Sequence, residues 1–514
     1  MKLNKFSKKA IAVAMSLAML FAMAPMAFAA DADVDYKINN PYANVNFDTF
    51  KAYKADLHCH TTFSDGSNPL PDMVERHYEL GFDILAITDH GTNFYGYIEQ
   101  KNHYLPAMKV ISLVKNGFMD GTALKVSGTA KNGNAYNVDF SFYGDEYYTQ
   151  TMPDSSKGQD MLAVPFGIEN NPTSFNNAHV NSWFVEYGHG YLGGTSDYAT
   201  PIKAVQELGG LSVINHPGEY TNARDEIYTA DAYNKDNAVY NYKINMFENL
   251  LLDNSTCIGI DINSKGDART RFDRKLWDIM LKDIVPYGRN VLAIATSDAH
   301  NLGIVDSGYT MHYLSENTSA NLKANMAQGG FFAGSKYVGN YDELAAVRDE
   351  AAAIQTPEAK ALFDILDPLV KKIAEENARG EKGSRFEADK DIAAPLFTNV
   401  VVDDKEDTIS LEAENAAVIH WIADGKVIHV GSEIDLDDYS SQIGSYVRAE
   451  AYGEGGVMYT QAFTLEYNGA PKAAERKVFY DFGQIITKIC DVPVRFLVSI
   501  LPVNLIVAIA ELFA

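Results

Sequence analysis

Between residues 54 and 335 the chain repeatedly runs through a few apolar residues and stops at His, Asp or Glu, and this pattern constrains the fold more than any other feature. The first such stretch is Lys54-Ala-Asp-Leu-His-Cys-His60. Successive side chains of a strand point to opposite faces. A strand here therefore puts Asp56, His58 and His60 on one face and Leu57 and Cys59 on the other. Two imidazoles at that spacing can grip one metal ion. Asp65 follows in a Gly-containing turn, within reach of a second.

The later stretches repeat the theme. Asp83–Thr88 is continuously apolar up to its end, as expected of a parallel strand covered on both faces, and it leads into Asp89-His90-Gly91. Ala163–Ile168 ends at Glu169, and Val180–Tyr187 begins just after His179. Leu211–Asn215 ends in His216-Pro-Gly218, Cys257–Ile262 is another strand, and Val291–Thr296 ends in Ser297-Asp-Ala-His300. Helices are expected from Asn68-Pro69 to Gly81, over 97–116 and over Ala199–Leu208. Strands that alternate with helices and deliver polar residues at their C-terminal ends suit a β/α barrel, whose active sites lie at that end. Residues 54–335 thus read as one barrel-like α/β domain.

The flanks differ. Residues 1–30 carry Lys2, Lys5, Lys8 and Lys9, then an apolar stretch ending in Ala-Phe-Ala-Ala30, as in a secretory signal peptide. Residues 31–53 are a polar lead-in. An insertion at 121–160 breaks the rhythm, with a hairpin expected over Leu124–Tyr143 around Lys131-Asn-Gly133. Residues 336–385 read as a helical segment and linker. Residues 386–468 read as an all-β, sandwich-like domain with a hairpin turn at Asp424-Gly425 and Trp421 in its core. The tail, 469–514, is apolar over Phe496–Ala510 but is interrupted by Pro502 and Asn504. It is too short to span a bilayer. Docking on the protein and attachment to a membrane or cell surface stand level.

The formal net charge of −25 argues against coating double-stranded nucleic acid and against charge-driven adhesion to anionic lipid. It leaves an anionic substrate open, because bound metal reverses the local sign. Three cysteines, Cys59, Cys257 and Cys490, make no disulfide framework despite export.

Asp56-Leu-His-Cys-His60 with Ser64-Asp-Gly66, Thr88-Asp-His-Gly91, Gly167-Ile-Glu169, His216-Pro-Gly218 and Ser297-Asp-Ala-His300 follow one another as in the PHP (polymerase and histidinol phosphatase) family, which residues 54–335 resemble. The resemblance implies a distorted seven-stranded β/α barrel, two or three divalent metals and hydrolysis of phosphate esters. Matched motif by motif, it implies that His58 and His60 bind the first metal with Asp298. Glu169 bridges the first and second, and Asp65 and His90 complete the second. His179, His216 and His300 hold a third, with His189 a nearby alternative to His179. His216, His300 and Asp298 take the catalytic roles.

A mixed His and carboxylate set suits Mn, Fe or Zn better than Ca or Mg. Clustered divalent ions generate hydroxide near neutral pH and clamp a phosphoryl centre. Phosphate also needs cations, and Lys265, Arg269 and Arg271 follow the strand Cys257–Ile262 at the appropriate end, with an exposed helix face as the alternative. Arg274 lies in the same stretch, and Arg224 is a weaker candidate. His77 and His103 read as satisfied polar residues. Asp56 and Asp89 read as residues that orient ligands, and Asp261 as either such a residue or a cap. The expected activity is an exported metal-dependent phosphoesterase acting on a phosphorylated small molecule or oligonucleotide. The alternatives are a cell-surface binding protein with a metal-loaded but non-catalytic barrel and a metal-dependent hydrolase of a non-phosphate bond.

Overall fold

A computed structural model describes residues 34–90, 125–140, 161–170, 178–185, 197–220, 238–262, 273–380, 385–389 and 391–477, with 480, 485 and 489. The signal segment, the helix expected at 97–116, His103, His189, Arg224, Lys265, Arg269, Arg271 and Cys490 lie outside the described residues.

In the N-terminal half the chain forms β1 (Lys37–Asn39), β2 (Lys51–Asp56), α1 (Leu70–Glu79), β3 (Ile84–Leu85) and the hairpin β4 (Lys125–Thr129) and β5 (Ala135–Asp139). Then come β6 (Leu162–Ala163), β7 (Ile168–Asn170), β8 (Val180–Trp183), α2 (Ala199–Glu207), β9 (Leu211–Ile214), α3 (Ala238–Asp253) and β10 (Cys257–Asp261). They are followed by α4 (Asp273–Ile284), β11 (Leu292–Ile294), β12 (Gly308–Leu314), α5 (Ser319–Gln328) and β13 (Phe331–Ser335). α1 shows why these segments fold as they do. Leu70, Met73, Val74 and His77 recur at helical spacing and are its buried residues.

The α/β expectation holds in its coarse form, with mixed rather than purely parallel pairing. β2, β3 and β6 pair in parallel. So do β9, β10 and β11, whereas β8 runs antiparallel to both β7 and β9. Two isolated parallel bridges, Cys59 with Ala299 and His90 with Glu169, link the two sheets.

The strands are shorter than the apolar runs that make them. Their polar ends leave the ladder because side chains take over the backbone donors. Asp56 accepts from the His58 and Ser297 amides at 3.2 Å, and Asp89 accepts from the Thr61 amide at 2.8 Å. The run Ala163–Ile168 splits between two sheets. The chain turns at Phe166, whose φ is +53°, and at Gly167, where a Cβ would come within 2.5 Å of the Ile87 carbonyl oxygen.

Close approach also governs β10. A Cβ on Gly259 would sit 1.8 Å from the Leu292 carbonyl oxygen, inside the β10–β11 ladder. Gly259→Ala is therefore expected to cost about 3 kcal/mol through overpacking, as read by urea denaturation with an unchanged m-value.

The C-terminal half begins with β14 (Tyr337–Asn340), α6 (Tyr341–Ala353), α7 (Pro357–Ala378) and β15 (Arg385–Glu387). Among the described residues up to 466 the chain then forms strands apart from short turns: β16 (Leu396–Asp403), β17 (Thr408–Glu414), β18 (Val418–Ala423), β19 (Lys426–Val430), β20 (Glu433–Asp435), β21 (Tyr446–Gly453), β22 (Gly456–Tyr459) and β23 (Phe463–Glu466). The Asp424-Gly425 turn joins β18 to β19, and Trp421 is fully buried.

β22 pairs with β13, so these strands share a sheet with the 54–335 region. Its order is β1-β23-β21-β22-β13-β12-β2-β3-β6. The lead-in takes part through β1, which lies antiparallel to β23. On the far side of that stretch, the amides of Val34, Tyr36 and Ile38 donate to Asp437, Asp407 and Asp404. β16, β17 and β20 form a separate three-stranded sheet.

A buried ionic network ties α4 to the C-terminal strands. Arg448 meets Asp278 through two hydrogen bonds of 2.7 Å and Glu450 through a third. Arg274 bonds Glu343 and the Tyr459 hydroxyl, each at 2.9 Å. This accounts for Arg274, the fourth cation of the sequence stretch: it is buried and its guanidinium is engaged by Glu343 and Tyr459. Among the described residues no helix is long and apolar enough to cross a membrane.

Candidate metal centre

The polar ends of the strands converge. His58 and His60, two residues apart beyond β2, both turn their Nε2 atoms inward to 3.1 Å from each other. Asp298 Oδ1 stands 3.3 Å from His58 Nε2 and 3.1 Å from His60 Nε2. Glu169 Oε2 stands 3.4 and 3.3 Å from the same two nitrogens. All four side chains are almost completely buried.

One proton cannot satisfy four inward-facing atoms at once. Donor atoms bonded to a common ion at about 2.0–2.1 Å lie about 2.9–3.4 Å apart for octahedral to tetrahedral angles. The observed spacings fall in that range, so the set fits a divalent ion. A second group comprises His60, Asp65, His90 and His300, and a third His90, Glu169 and His179. Glu169 faces several imidazoles at once: its Oε2 lies 2.9 Å from His90 Nδ1, and its Oε1 lies 2.7 Å from His179 Nδ1. His216 Nε2 approaches Glu169 Oε1 at 3.5 Å and Asp298 Oδ2 at 3.8 Å.

Two residues sit apart from the grouping that the resemblance implies: His216 belongs to none of these three groups, and His300 belongs to the second. His300 does not join His179 and His216; its Nε2 is 3.3 Å from Asp65 Oδ2, and its ring stacks on His60 with centroids 4.2 Å apart. The cause is the backbone. The His60 amide donates to the Ala299 carbonyl at 2.9 Å and the Ser67 amide to the His300 carbonyl at 2.7 Å, which binds the 297–300 turn to the 60–67 loop.

The electrostatics follow from packing carboxylates against imidazoles. Burial disfavours charge on His90, but Glu169 and Asp65 outweigh it and lift the imidazole to about 10. For His179 burial prevails over Glu169 and lowers it to about 4. Burial also opposes ionisation of Glu169, yet the surrounding imidazoles hold its carboxyl well below the usual range. Asp65 is likewise held low, against partial burial, by His300 and His90. The neighbouring carboxylates thus favour the charged form of His58, His90 and His300, whereas burial keeps His179 neutral.

Behind these side chains lies a layer that fixes them. Asp56 accepts from Ser297 Oγ, and its Oδ2 lies 3.1 Å from His77 Nε2. Asp89 accepts from Thr61 Oγ1 at 2.8 Å and from Ser64 Oγ at 2.6 Å, and Ser64 Oγ in turn lies 3.3 Å from His60 Nδ1. Both aspartates therefore orient other groups, and His77 is a satisfied buried residue. Asn215 donates to Glu169 Oε1 at 2.9 Å, a contact that no spacing in the sequence announces.

His216 and Asp298 both have left-handed backbones, with φ of +25° and +45°. Such conformations cost about 1–3 kcal/mol each in a non-glycine residue and persist where the surroundings over-determine them, often at functional sites.

Cys59 turns away, as strand parity requires. Its Sγ faces the Ala86 carbonyl at 3.5 Å, and burial raises the thiol well above its usual value. Cys59→Ser is expected to keep the wild-type metal content, as measured by elemental analysis.

A family model described as the PHP domain matches residues 56–127. Residues 56–127 are thus similar to the PHP domain. A 5'-3' exoribonuclease of Haemophilus influenzae is 49% identical over 39 residues, a match spanning 8% of this chain and 14% of that protein. Among solved structures, a two-domain protein of Bacteroides vulgatus containing a PHP-like metal-dependent phosphoesterase aligns with 87% of this chain and 96% of its own, at 13% identity and a TM-score of 0.34. A lesion-specific endonuclease of Pyrococcus furiosus aligns with 55% of this chain and 57% of its own, at 12% identity and a TM-score of 0.28. Similarities at this level carry no inference about activity or substrate. The PHP match covers His58, His60, Asp65 and His90.

Proposed function

We propose that this chain is an exported metal-dependent phosphoesterase that hydrolyses a phosphate mono- or diester. The observation that carries the reading is the buried group of His58, His60, Glu169 and Asp298, whose facing atoms are spaced as ligands of one ion. Asp65, His90 and His300 would hold a second ion, and His179 and His216 a third with Glu169. The mixed nitrogen and oxygen donors favour Mn, Fe or Zn. Bound divalent ions would supply Lewis acidity and lower the pKa of water.

The chain's own residues do the remainder. Asp298 and Glu169 would hold the imidazoles in place, and the proton for the leaving oxygen would come from a site His that holds no ion or from a second water. Lys265, Arg269 or Arg271 would contact the phosphate. The two bridges between the sheets support closure of the site-bearing strands into a seven-stranded barrel. Residues 1–30 would direct export, and residues 469–514 would supply any surface attachment.

The test combines metal analysis of the purified chain with turnover of a panel of nucleotides, oligonucleotides and sugar phosphates. The wild type is expected to carry two or three divalent ions per chain and to turn over at least one of these substrates. His58→Ala and Asp298→Ala should lose both properties. A fully metal-loaded wild type without turnover on the panel would remove the phosphoesterase reading. Retention of Lys2–Ala29 in secreted protein, read by intact mass, would remove the cleaved-signal reading.

A further inference from the structure

His216 lies at the mouth of a short 3₁₀ turn, Pro217–Tyr220. Three residues make one turn of such a helix, so side chains at i and i+3 stack above each other. His216 and Glu219 are related in this way, and Glu219 Oε2 lies 3.2 Å from His216 Nδ1. The turn is braced from two sides. The Glu219 amide donates to the His216 carbonyl at 3.1 Å, and the Gly218 amide donates to the buried carboxylate of Asp273 at 2.6 Å. The +25° φ of His216 then swings its ring so that Nδ1 meets Glu219 while Nε2 faces Glu169 and Asp298.

We propose that Glu219 is a positioning residue for His216. Its carboxylate oxygen, 3.2 Å from Nδ1, accepts the Nδ1–H as a hydrogen bond and so favours the tautomer whose Nε2 lone pair points at the cluster. The proposal rests on the reading of that cluster as a metal centre. An imidazole that donates one nitrogen to a carboxylate is held in one orientation and is a more basic donor through the other. His58 supplies an internal comparison. Its Nδ1 is 3.8 Å from Asp261 Oδ2, which already accepts from Thr296 Oγ1 at 2.7 Å. Asp261 is thus too distant to hold His58 in the same way, and the two carboxylates should differ in effect.

The experiment is a Mn²⁺ titration of the full chain after chelation, followed by calorimetry and elemental analysis, with Co²⁺ loading read by its visible absorption. Glu219→Leu is expected to weaken one ion by about 10–100-fold and to alter the Co²⁺ spectrum. Glu219→Gln, which can still accept from Nδ1 but lacks the charge, should fall between Glu219→Leu and wild type. Asp261→Asn should bind within about threefold of wild type. Circular dichroism checks that each variant is folded, and Glu219→Gln decides the matter if Glu219→Leu is not. Wild-type Mn²⁺ affinity and an unchanged Co²⁺ spectrum in a folded Glu219 variant would overturn the positioning role while leaving the metal reading intact. A wild type that takes up no divalent ion would overturn both.

Discussion

Glu169→Gln is expected to lower phosphoester turnover by about 10³-fold, equivalent to about 4 kcal/mol of lost stabilisation, and to reduce bound metal. Its carboxylate faces five imidazoles of the cluster. Oε2 faces His58, His60 and His90, while Oε1 faces His179 and His216 and accepts from Asn215. The residue is about 1% exposed, so no water can replace a lost contact. Glutamine keeps the shape but removes the negative charge, and it turns an NH₂ group toward imidazole nitrogens that need an acceptor or a cation. Turnover on the best ester of the panel and metal content per chain should fall together. Full metal loading with normal turnover would show that Glu169 is not a shared ligand.

Arg448→Ala is expected to destabilise the fold by about 3–5 kcal/mol, because it leaves buried carboxylates without their cation. The guanidinium lies 4.6 Å over the Trp277 ring while bonding Asp278 and Glu450. Its removal uncouples α4 from β21, and urea denaturation followed by tryptophan fluorescence reads the loss. The pH dependence has a definite sign. Burial opposes ionisation of Glu450, but Arg448 and His420 outweigh it and hold the carboxyl well below its usual range. A depressed folded value gives stability that is present above the unfolded value of about 4.3 and is lost as pH falls toward the folded one. The gap between wild type and Arg448→Ala should therefore narrow below about pH 4. A constant gap from pH 7 to pH 3 would show that Glu450 does not depend on Arg448.

Much of the centre was legible because chemistry-bearing residues were placed where apolar runs stop. His58, His60, His90, His216 and Asp298 follow short strands, Glu169 lies within one, and period-2 alternation correctly turns Cys59 away. Two things were not legible. The grouping of His300 depends on hydrogen bonds between the 297–300 turn and the 60–67 loop, which are distant in sequence. Asn215 and Glu219 contact Glu169 and His216, and neither belongs to any spacing that marks a metal site.

The C-terminal strands show the same limit on a larger scale. Their alternation and the Asp424-Gly425 turn identify an all-β segment, yet nothing in that pattern names the neighbour of each edge strand. Edge pairing is a tertiary outcome: β22 joins β13 and β1 joins β23, so the lead-in, the α/β region and the C-terminal strands share one sheet. The sequence by itself determined which residues are polar at strand ends and which face of each strand they occupy, because both follow from local periodicity. Only the tertiary structure decided which of those ends meet. That depends on backbone bonds and buried charges between segments up to hundreds of residues apart, and local pattern carries no record of them.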